Sequence, residues 1–193
     1  MKMVKKITAN ELSKAFNTDF SEFMLKKISE TDLSYFELST EERDSLMLTV
    51  VETLLDPSVK KSGAHRINDW IRGWGENRDE FRIFGNYDSL IPKYFGKLPY
   101  VRWKQDFIKA ADPSLEYNMA RVLQYWIFEK HFTDLDSVYE FGCGTGHNLL
   151  RVNEVNSTCS IYGLDWASSS QDTIKQINKI YGKDFTGHKF DFF

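Results

Sequence analysis

Val138-Tyr139-Glu140-Phe141-Gly142-Cys143-Gly144-Thr145-Gly146 is the stretch that decides the fold of this 193-residue chain. It begins as an apolar strand pattern that ends in a carboxylate, and it runs directly into a turn with three glycines. Because glycine has no Cβ, such a turn lets backbone N–H groups approach a ligand closely. A helix starting near Gly146 would present its N-terminal N–H groups at the same place. The stretch therefore predicts a site for a nucleotide-like ligand.

Downstream of residue 136, short strand patterns alternate with helical patterns. Ser168-Ser169-Ser170-Gln171 has the spacing of a capping box, and Gly182 is a typical helix stop. This alternation predicts an α/β region with a parallel βαβαβ sheet over residues 136–193. The predicted strands are Ser137–Phe141, Cys159–Leu164 and about His188–Phe192, and the predicted helices are about Gly146–Glu154 and Ser168–Tyr181.

The preceding region, residues 1–135, has mostly helical signals. Ser39-Thr40-Glu41-Glu42 is a capping box, and the helix it begins should end at Asp56-Pro57. A second amphipathic stretch, Ala64 to Phe84, is interrupted near Gly73-Trp74-Gly75. Asp112-Pro113 should open a long helix, with Asp as N-cap and Pro at the first helical position. The sequence thus predicts a mostly helical N-terminal region or cap.

Composition excludes several classes of protein. The formal net charge of -3 disfavours a general nucleic-acid binder, which needs clustered Lys and Arg. No apolar run is long enough to cross a bilayer, and the N-terminus lacks the apolar segment of a secretory signal. Two cysteines, Cys143 and Cys159, cannot build a disulfide framework and are better explained as small buried residues. We therefore expect a cytoplasmic protein that does not insert into membranes.

The glycine spacing departs from the dinucleotide fingerprint. That fingerprint requires a third glycine where this chain has His147. Glu140, two residues before the first glycine, would repel a pyrophosphate but would attract a ligand with a positive ammonium group. Both features disfavour an NAD-dependent oxidoreductase.

An acid followed by x-Gly-x-Gly-x-Gly resembles the first motif of class I S-adenosylmethionine-dependent methyltransferases. Glu140, Gly142, Gly144 and Gly146 match that motif at every fixed position. The resemblance implies a Rossmann-like domain in which Glu140 holds the amino end of S-adenosyl-L-methionine. It also implies that the glycine turn packs against the methionine and ribose portions of this cofactor.

Two further acids fall in register with this motif. Asp165 ends the second predicted strand about twenty residues beyond the glycines, where an acid accepts hydrogen bonds from ribose hydroxyls. Trp166 follows it, and its ring would either stack on the adenine or pack without touching the ligand. The resemblance also implies that Asp191, at the end of the third strand, receives the adenine amino group.

Other candidate residues have two interpretations each. His147 and Asn148 would either reach the cofactor carboxylate or serve as exposed capping residues. Upstream aromatic residues alternate with basic ones, which suggests either a site for an anionic methyl acceptor or simple packing of helices on the sheet, and we favour packing. The aromatic residues are Trp70, Trp74, Tyr94, Phe95, Tyr100 and Trp103, and the basic ones are Arg72, Arg82, Lys93, Arg102 and Lys104.

The resemblance covers residues 136–193 only, and it stops partway through the fold. A complete sheet of this family has seven strands, of which three are visible here, so Val138–Phe141 would present a bare apolar edge. We therefore expect either a truncated domain in a fragment of a longer protein, inactive alone, whose exposed edge pairs with the missing C-terminal half or with another chain, or another element that covers the edge. No residue is assigned as catalytic, and no metal site is expected.

Three functions remain open from the sequence. The leading one is a methyltransferase that transfers a methyl group from S-adenosyl-L-methionine to an unknown acceptor. The second is a non-catalytic module that binds this cofactor or a nucleotide, or that mediates an interaction. The third, disfavoured by Glu140 and His147, is an NAD-dependent oxidoreductase.

Overall fold

A computed structural model describes residues 3–59 and 63–191 of the chain. The chain forms two compact units, and each is built from two separated segments. The first unit is drawn from Met1–Lys61 and Tyr94–Gln124, and the second from Ser62–Lys93 and Tyr125–Phe193, so far as these ranges are described.

The first unit contains a four-stranded antiparallel sheet in the order β1-β2-β4-β3. Its strands are β1 (Lys5–Lys6), β2 (Ser34–Glu37), β3 (Tyr100–Trp103) and β4 (Asp106–Ala110). Its helices are α1 (Ala9–Phe16), α2 (Glu22–Ser29), α3 (Thr40–Leu55) and the first part of α5 (Leu115–Phe132). Buried apolar residues such as Met24, Leu33 and Ile108 form its interior.

The prediction of a mostly helical region for residues 1–135 was incomplete, because it missed this sheet. Its strands are two to five residues long, too short to show a clear alternating pattern. They pair with distant segments, as Tyr35 does with Ala110. The β3–β4 hairpin turns at Lys104, which adopts a left-handed backbone (φ 55°) without the glycine that normally marks such a turn.

Local helix signals in this unit had mixed outcomes. The capping box of α3 is confirmed: the Ser39 side chain accepts from the Glu42 N–H, and the Glu42 side chain accepts from the Ser39 N–H. This helix ends at Asp56, as predicted. Helix α5 begins later than expected, at Leu115, because Asp112 accepts the Ser114 N–H and heads a separate turn.

The second unit contains a parallel three-stranded sheet in the order β5-β6-β7. This confirms the predicted α/β class and parallel sheet. Strand β5 has the predicted bounds, whereas β7 ends at Lys189 and lies earlier than predicted; Phe192 lies outside the described residues. The strands are β5 (Ser137–Phe141), β6 (Ser160–Asp165) and β7 (Thr186–Lys189). The helices are α4 (Ile67–Phe84), the end of α5, α6 (His147–Val155) and α7 (Ser168–Tyr181). Short 3-10 turns lie at Ala64–Arg66 and Tyr87–Leu90.

The two faces of this parallel sheet differ. On one face Val138 of β5 and Ile161 of β6 are buried with Leu149 of α6 and Ile174 of α7 in a single core. On the other face Tyr139 and Phe141 of β5 are each 54% exposed. The helices α6 and α7 therefore cover one face of the sheet and leave aromatic side chains on the other.

Two local predictions in this unit were wrong. Helix α4 runs unbroken through Gly73-Trp74-Gly75, since neither glycine adopts a left-handed backbone there. Helix α7 begins without a side-chain cap. Ser169 instead donates to the Ile71 carbonyl of α4, and the Gln171 amide donates to the carbonyls of Asp165 and His188. These side chains therefore join α7 to its neighbours rather than cap it. The predicted end of α7 at Gly182 is confirmed.

Among the helices of the described ranges, none combines the length and the hydropathy needed to span a bilayer. Both thiols are free, with Cys143 buried and Cys159 half-buried.

Candidate functional site

The glycine turn connects β5 to α6 at the carboxyl ends of the parallel strands. The N–H groups of Gly142 and Cys143 both donate to the Leu164 carbonyl of β6, at 2.7 and 3.1 Å. The turn is thereby tied to the adjacent strand. The predicted site residues occupy this end of the sheet or follow it in the chain: Glu140, Gly142, Gly144, Gly146, Asp165, Trp166 and Asp191.

The three glycines of the turn have different surroundings, although all have positive φ. A Cβ on Gly146 would lie 3.1 Å from Ile177 Cδ1, so this glycine allows α6 to pack closely on the core. A Cβ on Gly144 would meet the ring of Trp74. A Cβ on Gly142 would meet nothing within 4 Å, and this residue is exposed. A ligand can therefore approach the backbone of the turn at Gly142.

Glu140 has one satisfied carboxylate oxygen and one that lacks a donor. Its Oε1 accepts from Asn148 Nδ2 at 2.7 Å. Its Oε2 is inaccessible to solvent and has no hydrogen-bond partner within the described part of the chain, although the residue as a whole keeps some exposed surface. Burial raises the pKa of this carboxyl to about 7, against the opposing effects of the Asn148 hydrogen bond and the Arg151 charge. Few buried polar atoms in proteins lack a partner, so Oε2 is a candidate ligand contact.

Asn148 and Arg151 hold Glu140 in place. Arg151 Nη1 donates to Asn148 Oδ1 at 3.3 Å, which orients the Asn148 amide with its nitrogen toward Glu140. The Arg151 guanidinium is itself buried, 5.8 Å from the ring centroid of Tyr87 and 5.7 Å from that of Tyr125. The Asn148 amide thus links the buried Arg151 guanidinium to the Glu140 carboxylate, and Asn148 is not an exposed cap.

Asp165 braces the glycine turn. Its Oδ2 accepts from the Gly144 N–H and its Oδ1 from the Ala167 N–H, both at 2.8 Å. The residue is only 5% exposed. Each carboxylate oxygen can accept a second hydrogen bond, so Asp165 can bind a ligand hydroxyl while it holds the turn.

Trp166 and Asp191 lie next to this centre in the chain. Trp166 is half-buried, immediately after β6. The Phe190 N–H donates to the Asp165 carbonyl at 3.0 Å, which keeps the chain beyond β7 alongside the end of β6. Asp191 follows there and is exposed.

His147 is buried and forms a hydrogen bond with Thr145 of the glycine turn. Thr145 Oγ1 donates its single hydrogen to the Leu90 carbonyl at 2.6 Å, and it lies 3.0 Å from His147 Nδ1. The proton between them therefore belongs to Nδ1, which donates to Thr145. Burial lowers the pKa of His147 to about 3, so the ring is neutral at ordinary pH. The interpretation of His147 as an exposed cap was wrong.

Helix α4 brings Trp74, one of the aromatic residues for which we favoured packing, against the glycine turn. The Trp74 ring lies against Gly144, and it also packs on Trp70 with ring centroids 5.5 Å apart. Asn77 Nδ2 donates to the Ser89 and Ile91 carbonyls, which fixes the Tyr87–Leu90 turn to α4.

The basic residues of this region pair with nearby acids. Arg72 contacts Asp69 at 3.0 Å, and Lys93 contacts Glu80 at 2.9 Å. Such partially exposed pairs are typical of a solvated helix surface. Within residues 3–59 and 63–191, no group of three or more His, Cys, Asp or Glu could hold a metal ion.

No family model, no curated protein and no solved structure matches this chain.

Proposed function

We propose that the chain binds S-adenosyl-L-methionine at the carboxyl ends of β5 and β6, as the cofactor-binding part of a methyltransferase with a Rossmann-like domain. The observation that carries this proposal is Glu140 Oε2, a solvent-inaccessible acceptor without a donor, two residues before Gly142, where the turn is open. A buried carboxylate in this state gains most from a cationic donor.

The charges at the turn support this cofactor over NAD. The carboxylates of Glu140 and Asp165 are close enough for Asp165 to raise the pKa of Glu140. Two neighbouring acids repel a pyrophosphate but accommodate an ammonium group and a neutral ribose. When bound, the cofactor supplies a methyl group on a sulfonium for transfer to a nucleophile.

The residues fit this ligand as follows. Glu140 would hold the ammonium group, the backbone at Gly142 would contact the methionine portion, and Asp165 would accept from the ribose hydroxyls. Trp166 and Asp191 would contact the adenine. Methyl transfer requires in-line placement of the acceptor, so positioning is the main contribution that the protein makes. The acceptor stays unassigned, and a small anionic molecule is the alternative that the upstream basic residues suggest.

A second candidate is a non-catalytic interaction module built on the same half-fold. The exposed aromatic face of β5 is the observation that favours it. Formation of a methylated product from S-adenosyl-L-methionine would exclude this candidate.

Isothermal titration calorimetry of the 193-residue chain with S-adenosyl-L-methionine, S-adenosyl-L-homocysteine and NAD⁺ tests the proposal. We expect binding of the first two ligands and no binding of NAD⁺. Asp165→Ala should weaken the binding of S-adenosyl-L-methionine by about 1–3 kcal/mol, because a hydrogen bond to a charged group is lost. Asp184→Ala is the matched control, since this exposed aspartate precedes β7 at the amino end of the sheet.

A folded Asp165→Ala variant with unchanged affinity would contradict the assignment of this residue. Binding of NAD⁺ in preference to both adenosyl ligands would contradict the proposed function itself.

A further inference from the structure

Helix α3 of the first unit presents an apolar stripe to solvent. Met47, Leu48, Val51, Leu54 and Leu55 are spaced i, i+1, i+4, i+7 and i+8, which places their side chains on one face of the helix. All five are exposed, from 37% at Met47 to 79% at Leu54. In a globular protein a helical stripe of this kind normally faces the interior, whereas here it faces outward.

The other side of α3 does not compensate for this exposure. No residue of α3, which the structure describes along its whole length, is buried. Leu46 and Val50, on the side opposite the stripe, are half-buried. Arg43 Nε lies 3.3 Å from Asp106 Oδ1 of β4, which joins the start of the helix to the sheet. A 16-residue helix with so little packing is marginal in water, so a partner along the stripe would stabilise it.

The charges of α3 disfavour a membrane surface as that partner. The helix carries four acids and one base. Helices that lie on anionic lipid have Lys and Arg beside their apolar face, and acids there are repelled by the lipid headgroups. Glu41, Glu42 and Asp44 all precede the stripe, so the negative charge is concentrated at one end of the helix.

A second copy of α3 is compatible with this distribution of charge when the two helices run antiparallel. Pairing centred on Val51 places Leu48 of one copy opposite Leu54 of the other, so the contact is self-complementary. It also separates the two acidic ends by more than about 20 Å along the pair, a distance at which salt screens their repulsion. A parallel pairing would place the acidic ends side by side.

The stripe is large enough for such a contact. At these exposed fractions the five side chains offer roughly 500 Å² of apolar surface per copy, so a pair would bury about 1,000 Å², which is what a specific interface needs. Contiguous apolar patches of several hundred Å² are also typical of association sites.

We propose that two copies of the chain form a dimer through α3, with their apolar stripes packed antiparallel about Val51. The interface lies entirely in the first unit, so the proposal does not depend on cofactor binding in the second unit.

Sedimentation velocity tests the dimer. Because Phe141 on β5 is also exposed and offers another route to association, the chain is measured both as wild type and as Phe141→Lys. We expect Phe141→Lys to remain a dimer, with twice the 22.6 kDa mass of one chain. Addition of Leu54→Glu should raise the dissociation constant by about 100-fold or more, because each dimer loses two buried leucines and each contributes at least a factor of ten.

The matched control is Leu25→Glu, which makes the same change at an exposed leucine of helix α2. It should leave the dissociation constant unchanged. Circular dichroism of Leu54→Glu should show the helix content of the parent chain, so that loss of the dimer is not loss of the fold.

Cross-linking tests the register and does not depend on disruption of the dimer. Val51→Cys should form a disulfide between two chains on mild oxidation, because its two copies face each other. Thr49→Cys, on the other side of the helix, should not. An equal mixture of Leu48→Cys and Leu54→Cys chains should give more of the mixed disulfide than of either self-linked product.

Several results would overturn the proposal. These are a Phe141→Lys chain that is monomeric at every concentration, a dimer that Leu54→Glu leaves intact, and preferential self-linking of Leu48→Cys, which would show a parallel pair. Binding of the wild type to vesicles of phosphatidylcholine and phosphatidylserine, abolished by Leu54→Glu, would also overturn it, because the stripe would then be a lipid contact.

Discussion

Two carboxylates on neighbouring strands have different roles at the glycine turn. Asp165 uses both oxygens to accept backbone N–H groups, and it therefore holds the turn in shape. Glu140 has one oxygen bound to Asn148 and one buried without a donor. An unsatisfied buried acceptor destabilises the folded state, so this oxygen favours either protonation of Glu140 or the approach of a cationic donor.

Glu140→Gln should change how stability depends on pH. Because the pKa of Glu140 in the folded state is about 7, above its ordinary 4.5, the folded chain binds its proton more tightly than the unfolded chain does. The contribution of this carboxyl to the free energy of unfolding is therefore fully present below about pH 4.5 and is lost as pH rises through about 7. We expect Glu140→Gln to be more stable than the wild type at pH 8, by about 1–3 kcal/mol.

Urea unfolding of both proteins between pH 4.5 and 8 measures this difference. His147 acts in the opposite direction, because burial lowers its pKa. Its contribution to the free energy of unfolding therefore grows as pH rises toward 6.5, the ordinary pKa of a histidine. The difference between variant and wild type removes that effect. Glu52→Gln, at an exposed position of α3, is the control. Equal pH slopes for Glu140→Gln and the wild type would refute the prediction.

At the scale of the element, glycines that look alike in sequence have different reasons to be there. Gly163 lies in β6 and faces the core, where a Cβ would be 2.6 Å from Ile174 Cδ1 and 3.0 Å from Leu149 Cδ1. Gly73 lies inside α4, where a Cβ would meet nothing within 4 Å. The first glycine allows β6 to pack against α6 and α7, whereas the second only weakens its helix.

Alanine at these two positions should therefore have opposite effects on the free energy of unfolding. Gly73→Ala should stabilise the chain by about 0.5–1 kcal/mol, because glycine in a helix loses more backbone entropy on folding. Gly163→Ala should destabilise it by about 1–3 kcal/mol, because the added methyl group overpacks the core. Thermal and urea unfolding of the two variants test both values. A stabilising Gly163→Ala would show that the core contains space that the structure does not have.

At the scale of the whole molecule, the parallel sheet has one covered and one aromatic face. On the aromatic face Tyr139 stacks on Tyr162 with centroids 4.4 Å apart, and Phe141 contacts Phe190 edge-on at 5.3 Å. Strand β5 is also the first strand in the sheet order and pairs only with β6 among the described strands. Exposed apolar faces and open strand edges are typical sites of association.

We therefore expect the isolated chain to self-associate through β5, because a second copy can cover this face and edge. Light scattering coupled to size-exclusion chromatography should show an apparent mass that rises with protein concentration. Tyr139→Lys and Phe141→Lys should suppress that rise, since a charge on an exposed strand opposes pairing.

The control for these variants is Leu98→Lys, which introduces the same charge at an exposed apolar residue of the first unit. It should associate as the wild type does. A wild-type chain that stays monomeric at all concentrations would refute the prediction.

The sequence by itself determined the features whose signals lie within a few residues. The bounds of β5, the glycine turn and the end of α7 at Gly182 were predicted correctly, because a strand needs a local apolar pattern and a left-handed backbone favours glycine. The capping box of α3 belongs to the same class, since both its hydrogen bonds join residues three apart.

Only the tertiary structure decided which distant surfaces meet. The antiparallel sheet depends on pairs such as Tyr35 with Ala110, and no local pattern encodes such a partner. The Trp74 ring lies on Gly144, and Glu140 Oε2 is buried without a donor, because α4 and α6 pack around the turn in one particular way. The motif therefore predicted a ligand site from local chemistry, whereas the unsatisfied carboxylate oxygen arises from long-range packing.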